Sequence, residues 1–174
     1  THIAQLAGGQ ALVAALDIKR RGVAHIAENA HRLGFPRVHA IRADAHRPPV
    51  RPGFDAVLLD APCSGLGTLR RHPDLKYRLE PGTIARLAEG QRDLLRSATE
   101  WCRPGGVIVY SVCTFTPEET LDIAQSAQAE SALELEEGPA WLEKWNIAKG
   151  QYRVLPSPNE ALDGFFLMRF RKRS

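Results

Sequence analysis

Along this chain, short and largely apolar runs alternate with longer stretches whose apolar side chains recur three and four residues apart. The runs predict strands buried in a parallel sheet, and the three-and-four spacing predicts amphipathic helices. Leu12 to Leu16 reads as a strand ending in Asp17. Arg20 to Leu33 carries Val23, Ile26, Ala27, Ala30 and Leu33 at helical spacing, and Gly34 follows as its stop. Val38 to Ala43 is a second strand, ending near Asp44, and Phe54 to Leu59 a third, ending at Asp60. A loop with several Gly, Pro and basic residues runs from Ala61 to about Gly82. Thr83 to Trp101 is a helix with Ile84, Leu87, Leu94, Leu95 and Ala98 on its apolar side. Pro104-Gly105-Gly106 turns the chain into a strand, Val107 to Val112. Thr116-Pro117-Glu118-Glu119 has the form of a capping box opening a helix that runs to about Ala129. Gly138 to Leu162 shows no clear period, despite Trp141 and Trp145. After the Asp163-Gly164 turn, Phe165 to Phe170 reads as a last strand.

Strands alternating with helices predict an α/β fold, a doubly wound and mostly parallel sheet in a single domain over residues 1–174. The chain opens on a helical pattern, Thr1 to Ala7, stopped by Gly8-Gly9, with no strand ahead of it. A βαβ unit requires that strand, so the expectation is a chain that begins inside its fold.

Composition narrows the function. The sequence is 44% hydrophobic and 25% charged, the balance of a globular protein. No apolar run approaches the roughly 18 residues that a membrane span needs, and no membrane partner is expected. Cysteines stand only at 63, 102 and 113, an odd set that suggests neither a disulfide framework nor a metal pair. A reduced, cytoplasmic setting without a metal is therefore expected. Basic residues cluster at Lys19-Arg20-Arg21, at Arg70-Arg71-His72 with Lys76 and Arg78, and from Arg169 to Arg173. Such clusters are either solvated surface or the footprint of a polyanion.

The chemistry gathers at strand ends, where open α/β sheets bind their ligands. Asp17, Asp44 and Asp60 each close a strand, and an acid in that position takes ribose hydroxyls in nucleoside-binding sheets. A single Asp there often serves turn geometry alone; three in series favour a ligand. Cys63 lies in the tight loop Asp60-Ala61-Pro62-Cys63-Ser64-Gly65. Cys113 closes the strand Val107 to Val112 just before the capped helix, whose N-terminus would favour thiolate there. Cys102, at a helix end, reads as structural.

Leu59-Asp60-Ala61-Pro62-Cys63-Ser64-Gly65, Arg70-Arg71-His72-Pro73-Asp74-Leu75-Lys76, Tyr110-Ser111-Val112-Cys113-Thr114 with Pro117-Glu118-Glu119, and Asp163-Gly164-Phe165-Phe166 together resemble the RNA cytosine-5 methyltransferase family. This is the Sun/Fmu and nucleolar-protein group of S-adenosylmethionine-dependent rRNA enzymes. The resemblance spans nearly the whole chain. It implies a class I, Rossmann-like methyltransferase domain with an antiparallel C-terminal strand, lacking the family's first strand and its Pro-Gly-Gly-Lys-Thr cofactor loop. It also implies methyl transfer from S-adenosylmethionine to C5 of a cytosine in rRNA through a covalent adduct at C6. In that scheme Cys113 is the nucleophile, Cys63 assists product release, and Asp60 contacts the base and helps place the cofactor. Asp17 would hold the ribose hydroxyls and Asp44 the adenine amino group. Arg70, Arg71 and Lys76 would contact the RNA backbone. Val112 departs from the family's usual Thr or Ser. The alternatives are a methyltransferase of exocyclic amino groups, a DNA or tRNA cytosine-5 enzyme, and a catalytically silent RNA-binding fragment.

Overall fold

Each apolar run becomes a strand, and the strands pair in two separate sheets. The computed structural model describes residues 1–130, 132–157 and 162–174, which form two compact units, Thr1–Val50 and Arg51–Ser174.

In the first unit, α1 (His2–Leu6), β1 (Val13–Asp17), α2 (Arg20–Arg32) and β2 (Val38–Arg42) follow in order. β1 and β2 run parallel, in register from Val13↔Val38 to Asp17↔Arg42. Ala4, Ala30 and Val38 are buried, and Val13, Ile26 and Phe35 pack against them. Gly34 ends α2 with a left-handed φ of 70°, a conformation costly to a side chain, and Phe35 N–H returns to Ala30 C=O at 2.9 Å.

The second unit holds β3 (Phe54–Asp60), α3 (Leu75–Arg78), α4 (Thr83–Trp101), β4 (Cys102–Val112), α5 (Leu121–Ala129), β5 (Leu133–Leu135), β6 (Asn146–Ala148), β7 (Gln151–Val154) and β8 (Phe165–Lys172). The sheet order is β3-β4-β8-β7-β6, with β5 also on β8. β3 and β4 are parallel, and β8 lies antiparallel to β4. The alternation of β4 and β8 builds the core. Ile108, Tyr110 and Val112 face Phe170, Met168 and Phe166 across the ladder, and all six are completely buried. α4 covers this face with Ala88, Leu95 and Ala98, and α5 with Ile123, Ala124 and Ala127. Burying a side chain of the Ile or Phe class stabilises by about 1.5–3 kcal/mol, so this face holds the β4 end in place.

Four local expectations change. Pro104-Gly105-Gly106 is not a turn before a strand but a bulge inside β4: Phe54 pairs with Cys102 and Ala56 already with Val107. Gly106 lies so close to Asp55 C=O and Cys102 Sγ that no Cβ would fit. The helix expected from Thr116 splits into a 3-10 turn, Pro117–Glu119, and α5. The break is Thr120, at φ −128° and ψ −87°, whose Oγ1 donates to Thr116 C=O at 2.6 Å. The long loop after β3 contains a 3-10 turn, Leu66–Thr68, and the short α3. The unassigned stretch before Asp163 contains a 3-10 helix, Ala140–Trp145, and the antiparallel pair β6–β7; its residues 158–161 lie outside the described residues.

Candidate active site

Parallel pairing of β3 with β4 delivers both strand ends to one place. Asp60 is opposite Ser111, and Ala61 N–H donates to Ser111 C=O at 2.9 Å. Beyond the strands, the two loops carry Cys63 and Cys113, whose sulfurs lie 3.3 Å apart with both thiols free. The first loop turns back through Gly65, at a left-handed φ of 73°, into the 3-10 turn. Gly67 N–H then donates to Cys113 C=O at 2.9 Å, while Gly67 C=O accepts from Gly164 N–H at 2.7 Å. Three distant segments thus meet at one glycine, and a Cβ on Gly67 would collide with Gly164 C=O and Cys113 C=O.

The two thiols are not equivalent. Burial, then the hydrogen bond and charge interaction with Cys113, push the Cys63 pKa from 9.0 up to about 12. Cys63 is therefore a thiol at neutral pH, able to direct its S–H at the Cys113 sulfur. Beside them, Ser111 Oγ donates to Asp60 Oδ1 at 2.9 Å, fixing an otherwise exposed carboxylate at the strand end. Cys102 sits elsewhere, buried at the start of β4 with its Sγ 3.7 Å from Val107 C=O, and burial pushes its pKa up.

Beneath the thiols is a polar cluster that the sequence pattern did not single out. Glu119, completely buried, accepts from Ser64 N–H (2.8 Å), Ser64 Oγ (2.5 Å), Gln91 Nε2 (3.0 Å) and Thr116 Oγ1 (2.9 Å). With the Ser64 hydroxyl proton given to Glu119, Thr114 Oγ1 is the donor across its 2.8 Å contact with Ser64 Oγ. Gln91 Nε2 also donates to Pro62 C=O at 2.8 Å. Tyr110 OH lies 3.0 Å from Gln91 Oε1 and 2.9 Å from Glu119 C=O, and burial followed by the Glu119 charge raises its pKa. One signal was available in the sequence. Gln91 stands on the buried stripe Ala88-Gln91-Leu95-Ala98, where a polar residue needs a partner.

The basic loop is exposed but partly engaged. Arg71 forms an ion pair with Asp163, and Arg70 Nη2 lies 3.8 Å from the same carboxylate. Lys76 Nζ lies 4.8 Å over the ring of Tyr77, which is 82% exposed. In the first unit, Asp17 Oδ1 accepts from Lys19 N–H at 2.7 Å and Asp44 Oδ1 from His46 N–H at 2.9 Å. The Asp17 carboxylate lies over Gly22 in the first turn of α2, in space that a Cβ there would occupy. Among the described residues no three His, Cys, Asp or Glu side chains are grouped to hold a metal, and no helix is long and apolar enough to cross a membrane.

Helices on a mixed sheet with an antiparallel last strand define a Rossmann-like methyltransferase fold. At 12% identity the N-methyltransferase NodS from Bradyrhizobium japonicum still superposes with a TM-score of 0.57, over 92% of this chain and 73% of its own, a likeness of fold alone. The sequence profile of the 16S rRNA methyltransferase RsmB/F family matches residues 1–171, and the chain belongs to that family. It is 36% identical over 180 residues to a probable ribosomal RNA small subunit methyltransferase B of Bacillus subtilis, covering 99% of this chain and 40% of the relative. With ribosomal RNA small subunit methyltransferase B of Thermus thermophilus the identity is 40% over 167 residues, 96% of this chain and 41% of the relative. The crystal structure of NSun6 from Pyrococcus horikoshii with SFG matches at a TM-score of 0.85 and 30% identity, over 99% of this chain and 44% of that one. The chain thus spans about 40% of the length of these curated relatives.

Proposed function

We propose that this chain is the catalytic domain of an rRNA methyltransferase that transfers a methyl group from S-adenosylmethionine to C5 of a cytosine. The observation that carries the reading is the pair of free thiols 3.3 Å apart beside Asp60. C5 of cytosine is a weak nucleophile, and a covalent bond to C6 activates it. The Cys113 thiolate adds to C6, and the C5–C6 π pair moves onto C5 and the N3–C4 edge, where Asp60 steadies the base. S-adenosylmethionine, when bound, would supply the electrophilic methyl group for C5 and leave as the neutral thioether S-adenosylhomocysteine. Loss of the C5 proton then restores the double bond and expels Cys113. Cys63 promotes that last step in one concerted exchange: its S–H, facing the departing sulfur, passes its proton to Cys113 as the Cys63 sulfur takes up the C5 proton, so that Cys63 ends as a thiol. The raised Cys63 pKa supports this assignment over one in which Cys63 attacks, because a thiol held protonated is a poor nucleophile.

The first unit fits the nucleoside half of the cofactor. Asp17 and Asp44 stand at the ends of neighbouring parallel strands, and each has one carboxylate oxygen fixed by a backbone N–H, which supports a ligand role for the pair. Asp17 would accept from the ribose hydroxyls and Asp44 from the adenine amino group. Arg70, Arg71 and Lys76 would meet RNA phosphates, and the target cytosine must be unpaired or flipped to reach the half-buried Cys113 sulfur. Free thiols and an RNA substrate fit the cytoplasm.

The two single thiol variants test the scheme in the full-length protein. Cys113→Ala should give neither methyl transfer nor an RNA adduct. Cys63→Ala should methylate once and remain attached, giving a slow band on a denaturing gel. A trapped Cys113→Ala beside a free Cys63→Ala would reverse the roles.

A further inference from the structure

Among the described residues, Glu119 is the one carboxylate that is completely buried. A carboxylate taken out of water without a cation must have its charge met by hydrogen bonds, and all four of its donors are neutral. A hydrophobic side chain would fill a core position more cheaply. What this carboxylate does, and an apolar group could not, is join the two cysteine loops. Ser64 directly follows Cys63, Thr114 directly follows Cys113, and their hydroxyls form one chain, Thr114 Oγ1 to Ser64 Oγ to Glu119 Oε2, at 2.8 and 2.5 Å. On the other side Gln91 Nε2 joins Glu119 Oε1 to Pro62 C=O, the residue before Cys63. Thr116 Oγ1 and the neighbouring Thr120 anchor the turn that carries the carboxylate.

We propose that Glu119 is the positioning residue of the two-thiol site, a buried acceptor that clamps the Cys63 and Cys113 loops together and sets the spacing of the two sulfurs. The proposal rests on the reading above for its role in methyl transfer, but the spacing is a property of the protein alone. In this role Glu119 touches neither base nor cofactor. It acts through Ser64, Thr114 and Gln91, so that Cys63 S–H stays aimed at Cys113 while the latter adds to and leaves the base.

Glu119→Gln keeps the shape but must reverse the chain: its amide would donate to Ser64 Oγ, which would then donate to Thr114 Oγ1. Phenylarsine oxide reads the spacing directly, because one arsenic condenses with two adjacent thiols and releases water. In the full-length protein, peptide mapping should find Cys63 and Cys113 bridged. Glu119→Gln should slow bridging about tenfold, the scale of one lost charge-assisted hydrogen bond. Its kcat should fall by a similar factor with KM for RNA unchanged, and the RNA-trapped adduct of Cys63→Ala should form more slowly when Glu119→Gln is added. Ser64→Ala, which removes the hydroxyl link and leaves Glu119 in place, should show the same pattern in weaker form. Glu119→Gln that folds, bridges and turns over at the parent rate would overturn the proposal. Bridging that slows while no RNA adduct forms in any variant would uphold Glu119 as the clamp and refute the cytosine-5 reading instead.

Discussion

A cysteine whose thiolate is disfavoured makes a poor nucleophile, and burial beside Cys113 puts Cys63 in that position. Its pKa, raised by burial and by Cys113 from 9.0 to about 12, also links it to stability. The unfolded thiol ionises near 9, whereas the folded one stays protonated to about 12. Its contribution is therefore complete below pH 9 and lost as pH rises toward 12. The melting temperature of the parent should fall relative to that of Cys63→Ala across this window, and a pH series of thermal melts measures it. A difference that stays constant would mean that Cys63 ionises in the folded state as freely as in the unfolded one.

At the scale of elements, the site depends on three segments meeting at Gly67, and its lack of a side chain permits the meeting. Gly67→Ala would drive a Cβ into the carbonyl groups of Gly164 and Cys113. Overpacking of this kind costs typically 1–3 kcal/mol, and denaturant titration should find a loss of at least that size. The same variant should slow methyl transfer, because Cys113 C=O is one of the displaced groups. The turn after Cys113 follows related logic. The capping-box pattern at Thr116 promised a continuous helix, but Glu119 turns inward to Ser64 and Gln91 instead of back to Thr116 N–H. A local rule yielded to a tertiary demand for an acceptor between two loops.

At the scale of the whole molecule, a net charge of +3 is too small to commit the protein to RNA, so local placement of cations decides. Arg70 and Arg71 are 50% and 60% exposed and share the Asp163 carboxylate, while Lys76 lies over an exposed tyrosine. Replacing Arg70, Arg71 and Lys76 with Ala in the full-length protein should weaken RNA binding. It should also flatten the dependence of log affinity on log salt by up to about 2–2.7, since each neutralised phosphate contributes roughly 0.7–0.9. The Asp163 ion pairs should hold the change below that ceiling. An unchanged slope would return this cluster to ordinary solvated surface.

Taken alone, the sequence determined the alternation of strands and helices, the antiparallel last strand's position after Asp163-Gly164, the family, and the residues at the strand ends. These follow from hydrophobic period, turn chemistry and short motifs, all local in the chain. The structure decided what depends on segments far apart in sequence. It brought Cys63 and Cys113 into contact across 50 positions, absorbed Pro104-Gly105-Gly106 into a bulge, and paired the short strands β5, β6 and β7, which are too brief to show a period. It also turned Gln91 and Glu119, unremarkable on a helix and in a capping pattern, into the polar floor of the thiol site. A buried hydrogen bond has no sequence period. Its partners are chosen by the packing of α4 and the 3-10 turn against the strand ends, and only the folded chain holds that information.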